Sequence, residues 1–362
     1  MKKNDLLWRQ ISVLAWGLLL WGGPVLLLGV VYERSLLSVA ARLDLPLEAW
    51  RAALAPAAAC AGWWAVAAGA GCLFWWMLTR VTGARWSDRL IPAWKWGTAY
   101  LCATGWVLAV WAFAAAYLGG HGHPPDKESL LAGVRTLGPI ALVLSVVWIL
   151  AVLLVRTGRT GLEKRARFLS AVGLIVLVPT MAWMTVLREG GWITSMASLN
   201  GISDAAAAGL AWALLSREAR ADAVRRPALL LLTAVLALGL YFAYSRFLIV
   251  SYGGIPAETS FYTARREGEW RVVLAVLAVL AIALPLLAAL AATVGRRVVV
   301  ARLTALLVLA ATVAWASWNV LPGISSSAGT CLTFMVISLL PLAGPFLWNR
   351  QRREQTMDAR KD

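Results

Sequence analysis

Residues 228–252 read ALLLLTAVLALGLYFAYSRFLIVSY. The run is apolar on every face of a helix, and a helix apolar all round is buried in a large core or in lipid. At 1.5 Å per residue it spans ~37 Å, more than the ~30 Å hydrocarbon core that ~20 apolar residues cross. It carries one charge, Arg246, about seven residues before the run ends at Gly253. A membrane helix and a buried arginine are therefore the first two expectations.

The rest of the chain repeats the pattern. Of 362 residues, 60% are hydrophobic, 14% are charged and 21 are Trp. No soluble domain of this length hides that much apolar surface, so lipid is the solvent for most of the chain. Apolar runs of spanning length recur at 11–31, 55–78, 96–118, 136–155, 168–187, 195–215, 228–252, 271–294, 298–321 and 331–348. They predict an all-α polytopic protein, a single integral membrane domain over 1–362 with about ten transmembrane helices and a tail at 349–362. The first run follows Met1-Lys2-Lys3. It exceeds a signal-peptide h-region and has no clear A-x-A cleavage site, so it reads as a retained helix.

The formal net charge is +16. With ten alternating spans, 24 basic residues fall on the side of both termini and nine on the other, Arg246 apart. By the positive-inside rule both termini are expected in the cytoplasm. The excess charge is then topology, and nucleic acid is not an expected partner. Trp75, Trp76, Trp94, Trp96 and Trp348 on one side, and Trp183, Trp192, Trp315 and Trp318 on the other, are expected in the two interfacial belts.

Several chemistries lack their residues. The two histidines, His121 and His123, lie in a Gly/Pro loop, so no span offers a bis-His haem site. As two ligands on a loop they read as a solvated turn rather than a metal site. Cys60, Cys72, Cys102 and Cys331 lie in spans without a C-x-x-C, which predicts buried free thiols. No metal or cofactor is expected on this chain.

Polar groups inside spans carry the functional signal. Asp204 sits midway along SMASLNGISDAAAAGLAWALL, residues 195–215, with Asn200 four residues earlier and Ser203 beside it. These three form a stripe on an Ala-rich helix suited to close packing. An ionised carboxylate at mid-membrane costs roughly 2.5–3.5 kcal/mol on insertion scales. It calls for protonation, a partner or a wet cavity, and helix-to-helix glue is as good an account as proton or quinol handling. Arg246 on the next span is the expected partner, with snorkelling to the interface as the alternative. Pro179-Thr180 and Pro285 mark kinks, with the threonine or water able to cover the freed carbonyl.

Two stretches resemble a known family. Tyr244-Ser245-Arg246-Phe247-Leu248-Ile249-Val250, followed by Tyr252-Gly253-Gly254-Ile255-Pro256-Ala257-Glu258-Thr259, resembles NrfD/polysulfide-reductase-C-like membrane subunits. The likeness is greatest to the F subunit of alternative complex III, a quinol:cytochrome c oxidoreductase. AWMTVLREGGWITSMASLNGISDAAAAGLAW, residues 182–212, is similar to a second stretch of that subunit, and together the patches cover residues 182–266. Arg246 stands where the family usually has Gln, Gly254 where it has Asn, and Ala257 where it has the first Glu of a Pro-Glu-Glu motif.

The resemblance implies two four-helix bundles, here 56–187 and 192–321, flanked by the first and tenth spans. It implies a non-catalytic or quinone-adjacent subunit of a respiratory or photosynthetic electron-transfer complex in the bacterial inner membrane. Its implied work is structural and proton-conducting, past Asp204, Arg246 and Glu258, with Asn200, Ser203, Tyr244, Ser245 and Tyr252 around them. The implied partners are a second NrfD-like subunit, an iron–sulfur/molybdopterin-type periplasmic subunit and c-type cytochromes. These would hold the haem and iron–sulfur clusters, with quinol nearby. The rival reading is a stand-alone secondary transporter with the Asp204–Arg246 pair at its substrate site; a membrane-embedded transferase lacks the acidic or His cluster it would need at a span end.

Overall fold

A computed structural model describes residues 47–118, 127–159, 163–188, 195–254, 256–266, 268–294, 298–323 and 328–339. Among them the regular structure is entirely helical. The helices are α1 (Leu47–Thr82), α2 (Ile91–Leu118), α3 (Lys127–Arg159), α4 (Glu163–Arg188) and α5 (Ser195–Leu214). They continue with α6 (Asp222–Gly253), α7 (Pro256–Arg265), α8 (Trp270–Val294), α9 (Val298–Val320) and α10 (Ala328–Leu339). The expected spans from 55 to 321 each fall on one of these helices. The first span, the end of the tenth, the 349–362 tail, the histidine loop, Trp192 and Trp348 lie outside the described residues. Among the described residues five helices, α1, α4, α6, α8 and α9, are long and apolar enough to cross a membrane.

Helix α1 is central. It packs on α2, α4, α5, α9 and α10, and 83% of its most apolar window is buried, against 17% for α6 and for α8. Composition explains the difference. Gly, Ala and Cys at the contact faces of α1 let neighbouring backbones approach, as small residues do between membrane helices. A Cβ added at Gly209 of α5 would lie 2.5 Å from the backbone carbon of Gly71 on α1, and Gly62 and Gly105 make a similar crossing of α1 with α2. The indole Nε1 of Trp75 donates across the first crossing to Ala206 O at 2.7 Å. By contrast α6 and α8 turn Leu, Val, Ile and Tyr outwards, as lipid-facing helices do.

The packing is sequential. Helices α1, α2, α3 and α4 each lie on the next, and α4 returns to α1; α5, α6, α8 and α9 do likewise, with α9 returning to α5. The two sets meet where α1 packs on α5 and α9, and α4 on α5.

Three sequence expectations change. The mixed-charge stretch after Gly253, read as a loop, contains α7. Gly254 ends α6 with φ 62°, the left-handed conformation that glycine adopts without strain, and Pro256 then opens α7 at the first helical position, where its missing N–H costs nothing. The tryptophans expected in the belts also divide by exposure, and Trp183 is 45% exposed. Trp96 is half exposed, but Trp75, Trp76, Trp94 and Trp318 are buried in helix contacts. Finally, the Thr180 hydroxyl beside Pro179 donates to Val176 O at 2.7 Å. That is one residue past the carbonyl the proline frees. Cys60, Cys72, Cys102 and Cys331 are buried with free thiols.

Candidate functional site: a polar ladder along α9

Span nine decides the geometry of the polar centre. Thr312, Trp315 and Asn319 on α9 are spaced by three and four residues, so they share one helix face. Each meets a different polar residue of the neighbouring helices, giving three tiers.

The first tier holds Asp204. The Trp64 Nε1 of α1 donates to Thr312 Oγ1 at 3.1 Å, and the Thr312 hydroxyl donates to Leu309 O at 2.9 Å. Asp204 and Thr312 line two adjacent cavities. One, of about 20 Å³, is walled by Trp63, Trp64, Met181, Met184 and Thr185 from α1 and α4. The other, of about 80 Å³, lies among α5, α6, α8 and α9, against Asn200, Ser203, Gly239 and Trp315. A water needs roughly 10–15 Å³ of such volume, so the first has room for one water and the second for several. Both are smaller than the ~150 Å³ of a cavity that takes up benzene.

The second tier is Asn200, buried on α5. Its side chain donates to Gly239 O of α6 at 3.0 Å and accepts Trp315 Nε1 at 2.8 Å. Both ends of the amide are used, which sets the register of α5, α6 and α9 together. Gly239 makes this possible: a Cβ there would meet Ser203 Cβ at 3.5 Å and the Asn200 side-chain amide at 3.9 Å. The Ser203 hydroxyl turns back to Leu199 O at 3.0 Å.

The third tier is Arg246, 2% exposed. Its Nη1 lies 3.5 Å from Asn319 Oδ1, and its guanidinium sits 4.7 Å from the centre of the Phe261 ring on α7. Asn319 is itself fixed by a bond from Nδ2 to Trp315 O at 2.9 Å. Phe261 carries a second guanidinium, that of Arg265, at 3.4 Å. Arg265 closes the end of α9: Nε donates to Trp318 O at 3.0 Å and Nη2 to Asn319 O at 2.6 Å. Its Nη1 donates to Phe261 O at 2.7 Å. The last carbonyls of a helix lack intrahelical partners, and a cation there also opposes the negative end of the helix dipole.

The expected Asp204–Arg246 pair gives way to this arrangement. Helices α5 and α6 run antiparallel, so from the Asn200–Gly239 tier Asp204 lies towards one end and Arg246 towards the other. The guanidinium is engaged at Asn319 and Phe261, while Asp204 stands at the cavities with Thr312. Arg246 does not snorkel either, because its head is buried.

The remaining expected residues divide. Asn200, Ser203 and Asp204 come together around the larger cavity. Ser245 is half-buried beside Arg246, but Tyr244 and Tyr252 are 58% and 87% exposed and face away from the ladder. Glu258 falls in α7, and its side chain lies outside the described residues. Sequence reasoning missed Thr312, Trp315, Asn319, Phe261 and Arg265. The first three were legible as a three-four polar stripe in an apolar span. Arg265 was counted as a loop charge because α7 was read as loop.

A scan against protein-family models finds no match for this chain, and a search of curated proteins finds none.

Proposed function

We propose that this chain is an integral membrane subunit of a quinol-oxidising electron-transfer complex of the alternative complex III type, with a structural and proton-conducting role. The family half of this reading rests on the resemblance over residues 182–266. The proton half is carried by one observation: Asp204 is the shared wall of two cavities of water size. A carboxylate placed between waters can take a proton from one and release it to the other, and the two volumes suit waters. That size weighs against a transporter for organic solutes at this site.

In this reading about ten spans form two four-helix bundles, 56–187 and 192–321, with the first and tenth spans flanking. The closure of α1–α4 and of α5, α6, α8 and α9 on themselves supports it. Both termini lie on the cytoplasmic face of a bacterial inner membrane, supported by the basic bias of the loops. Partners are a second NrfD-like subunit, an iron–sulfur/molybdopterin-type subunit and c-type cytochromes, which hold the metals; quinol is oxidised nearby. The Asn200 and Arg246 tiers then lock α5, α6, α7 and α9, holding Asp204 between its cavities.

The test is purification of the tagged full chain from native membranes in mild detergent, followed by haem staining and iron–sulfur analysis. Copurifying haem and iron–sulfur proteins in fixed stoichiometry are expected. A lone protomer that catalyses solute exchange in vesicles would overturn the reading.

A further inference from the structure

Among the described residues, Asp204 and Thr312 are the two that line both cavities. A chain of hydrogen bonds leading from one cavity to the other therefore passes through one of them. Asp204 on α5 has a carboxyl group, which takes up a proton and gives it off again. Thr312 on α9 is buried, and its hydroxyl is held from two sides. Trp64 Nε1 lies 3.1 Å from it and Leu309 O 2.9 Å. An indole N–H only donates and a carbonyl only accepts, so the partners fix the direction of both bonds. The hydroxyl has a single proton, and that proton is on the backbone carbonyl.

Passing a proton along needs an oxygen that accepts one proton and hands on another. Trp64 keeps its indole proton, and Leu309 O leads to no further carrier. The hydroxyl is thus a dead end in such a chain. From this geometry we infer that Thr312 is a positioning residue that closes the second way between the cavities, so that a proton crosses from one to the other on Asp204. The step balances at the carboxyl group. A carboxylate oxygen takes a proton from a water of one cavity to form the acid, and the acid returns it to a water of the other, restoring the carboxylate. Trp64 belongs to the α1–α4 set of helices and Thr312 to the set of α5, α6, α8 and α9, so the bond that holds the hydroxyl also ties the two sets together. The inference rests on the proton-conducting reading of Asp204.

Serine and alanine at this position separate the outcomes. Thr312→Ser keeps the hydroxyl with both of its bonds. Thr312→Ala removes the hydroxyl and the methyl group, room on the order of one water, and leaves Trp64 Nε1 and Leu309 O facing the gap. A water seated there accepts from the indole and donates one proton to the carbonyl, and its second proton is free to pass on. Alanine therefore turns the dead end into a relay. The assembly purified from native membranes is reconstituted in vesicles and its proton yield per electron is measured. Hydroxyl-radical footprinting, which marks side chains beside bound water, is read in parallel at Trp64 and Met184, both on the smaller cavity. Asp204→Asn alone should lower the proton yield about tenfold. Adding Thr312→Ala should regain most of that yield, and adding Thr312→Ser none of it. Labelling of Trp64 and Met184 should rise several-fold in Thr312→Ala and stay unchanged in Thr312→Ser. A full proton yield in Asp204→Asn alone would overturn the proton reading and the inference with it. A low yield that Thr312→Ala fails to lift, or that Thr312→Ser lifts equally, would overturn the inference and leave the reading standing. Unchanged labelling in Thr312→Ala would do the same, since that readout asks only where water sits.

Discussion

Replacing Arg265 by Met should loosen the end of α9 far more than the loss of an outer loop charge would. Arg265 donates to two carbonyls of the last turn of α9, Trp318 and Asn319, and to Phe261 O. Hydrogen bonds from a charged donor contribute about 1.5–3 kcal/mol each. Methionine matches the apolar stem and donates nothing. Taking only the two α9 bonds at the low end gives ~3 kcal/mol, or about 150-fold in a local opening equilibrium. The desolvated contact with Phe261, up to ~2 kcal/mol, adds to that. The assay is hydrogen–deuterium exchange by mass spectrometry on the full chain in detergent, following peptides that cover residues 313–323. Exchange there should rise by two orders of magnitude in Arg265→Met, while α1 is unchanged. Arg265→Lys should fall between, since one ammonium replaces a fork that spans two carbonyls. A rise of less than about threefold in Arg265→Met would refute the capping argument, because one remaining bond alone exceeds that.

Other consequences are open to direct measurement. Gly209→Ala drives a methyl against the Gly71 backbone and should destabilise the α1–α5 crossing by about 1–3 kcal/mol or prevent folding, read as a lower unfolding temperature or loss of the monodisperse peak on gel filtration. Asp204→Asn keeps the shape of the cavity wall and removes the titrating group, so folding should be retained. Proton transfer by the reconstituted assembly should fall at least tenfold (about 1.4 kcal/mol), with electron transfer less affected; equal proton yield in the variant would remove Asp204 from the route. Asn200→Leu strands the Trp315 indole and Gly239 O and should cost about 1–3 kcal/mol for each buried group left without its bond, measured by thermal unfolding against Ser203→Ala as a milder neighbour.

Some of this was legible in the residues. Among the described residues the eight apolar runs from 55 to 321 each fall on a helix, because a segment that satisfies every backbone group internally announces itself by length and composition. Asn200, Ser203 and Asp204 were found as one stripe because four-residue spacing on a helix guarantees a shared face. Even the exposed α6 tyrosines were visible as letters. Their exposure was not, since a helix apolar all round shows no inward side.

What only the tertiary structure decided is which polar group meets which. Two charges on successive spans suggested a pair, because opposite charges in low dielectric attract strongly. The helix register set by Asn200 on Gly239 and Trp315 put Asp204 and Arg246 on opposite sides of that tier. Arg246 found an amide and an aromatic face, and Asp204 found room for water. Depth along a helix follows from counting residues. Rotation and register between helices depend on which small residues let two backbones touch, and here Gly71 with Gly209, and Gly239 with Asn200, made that choice.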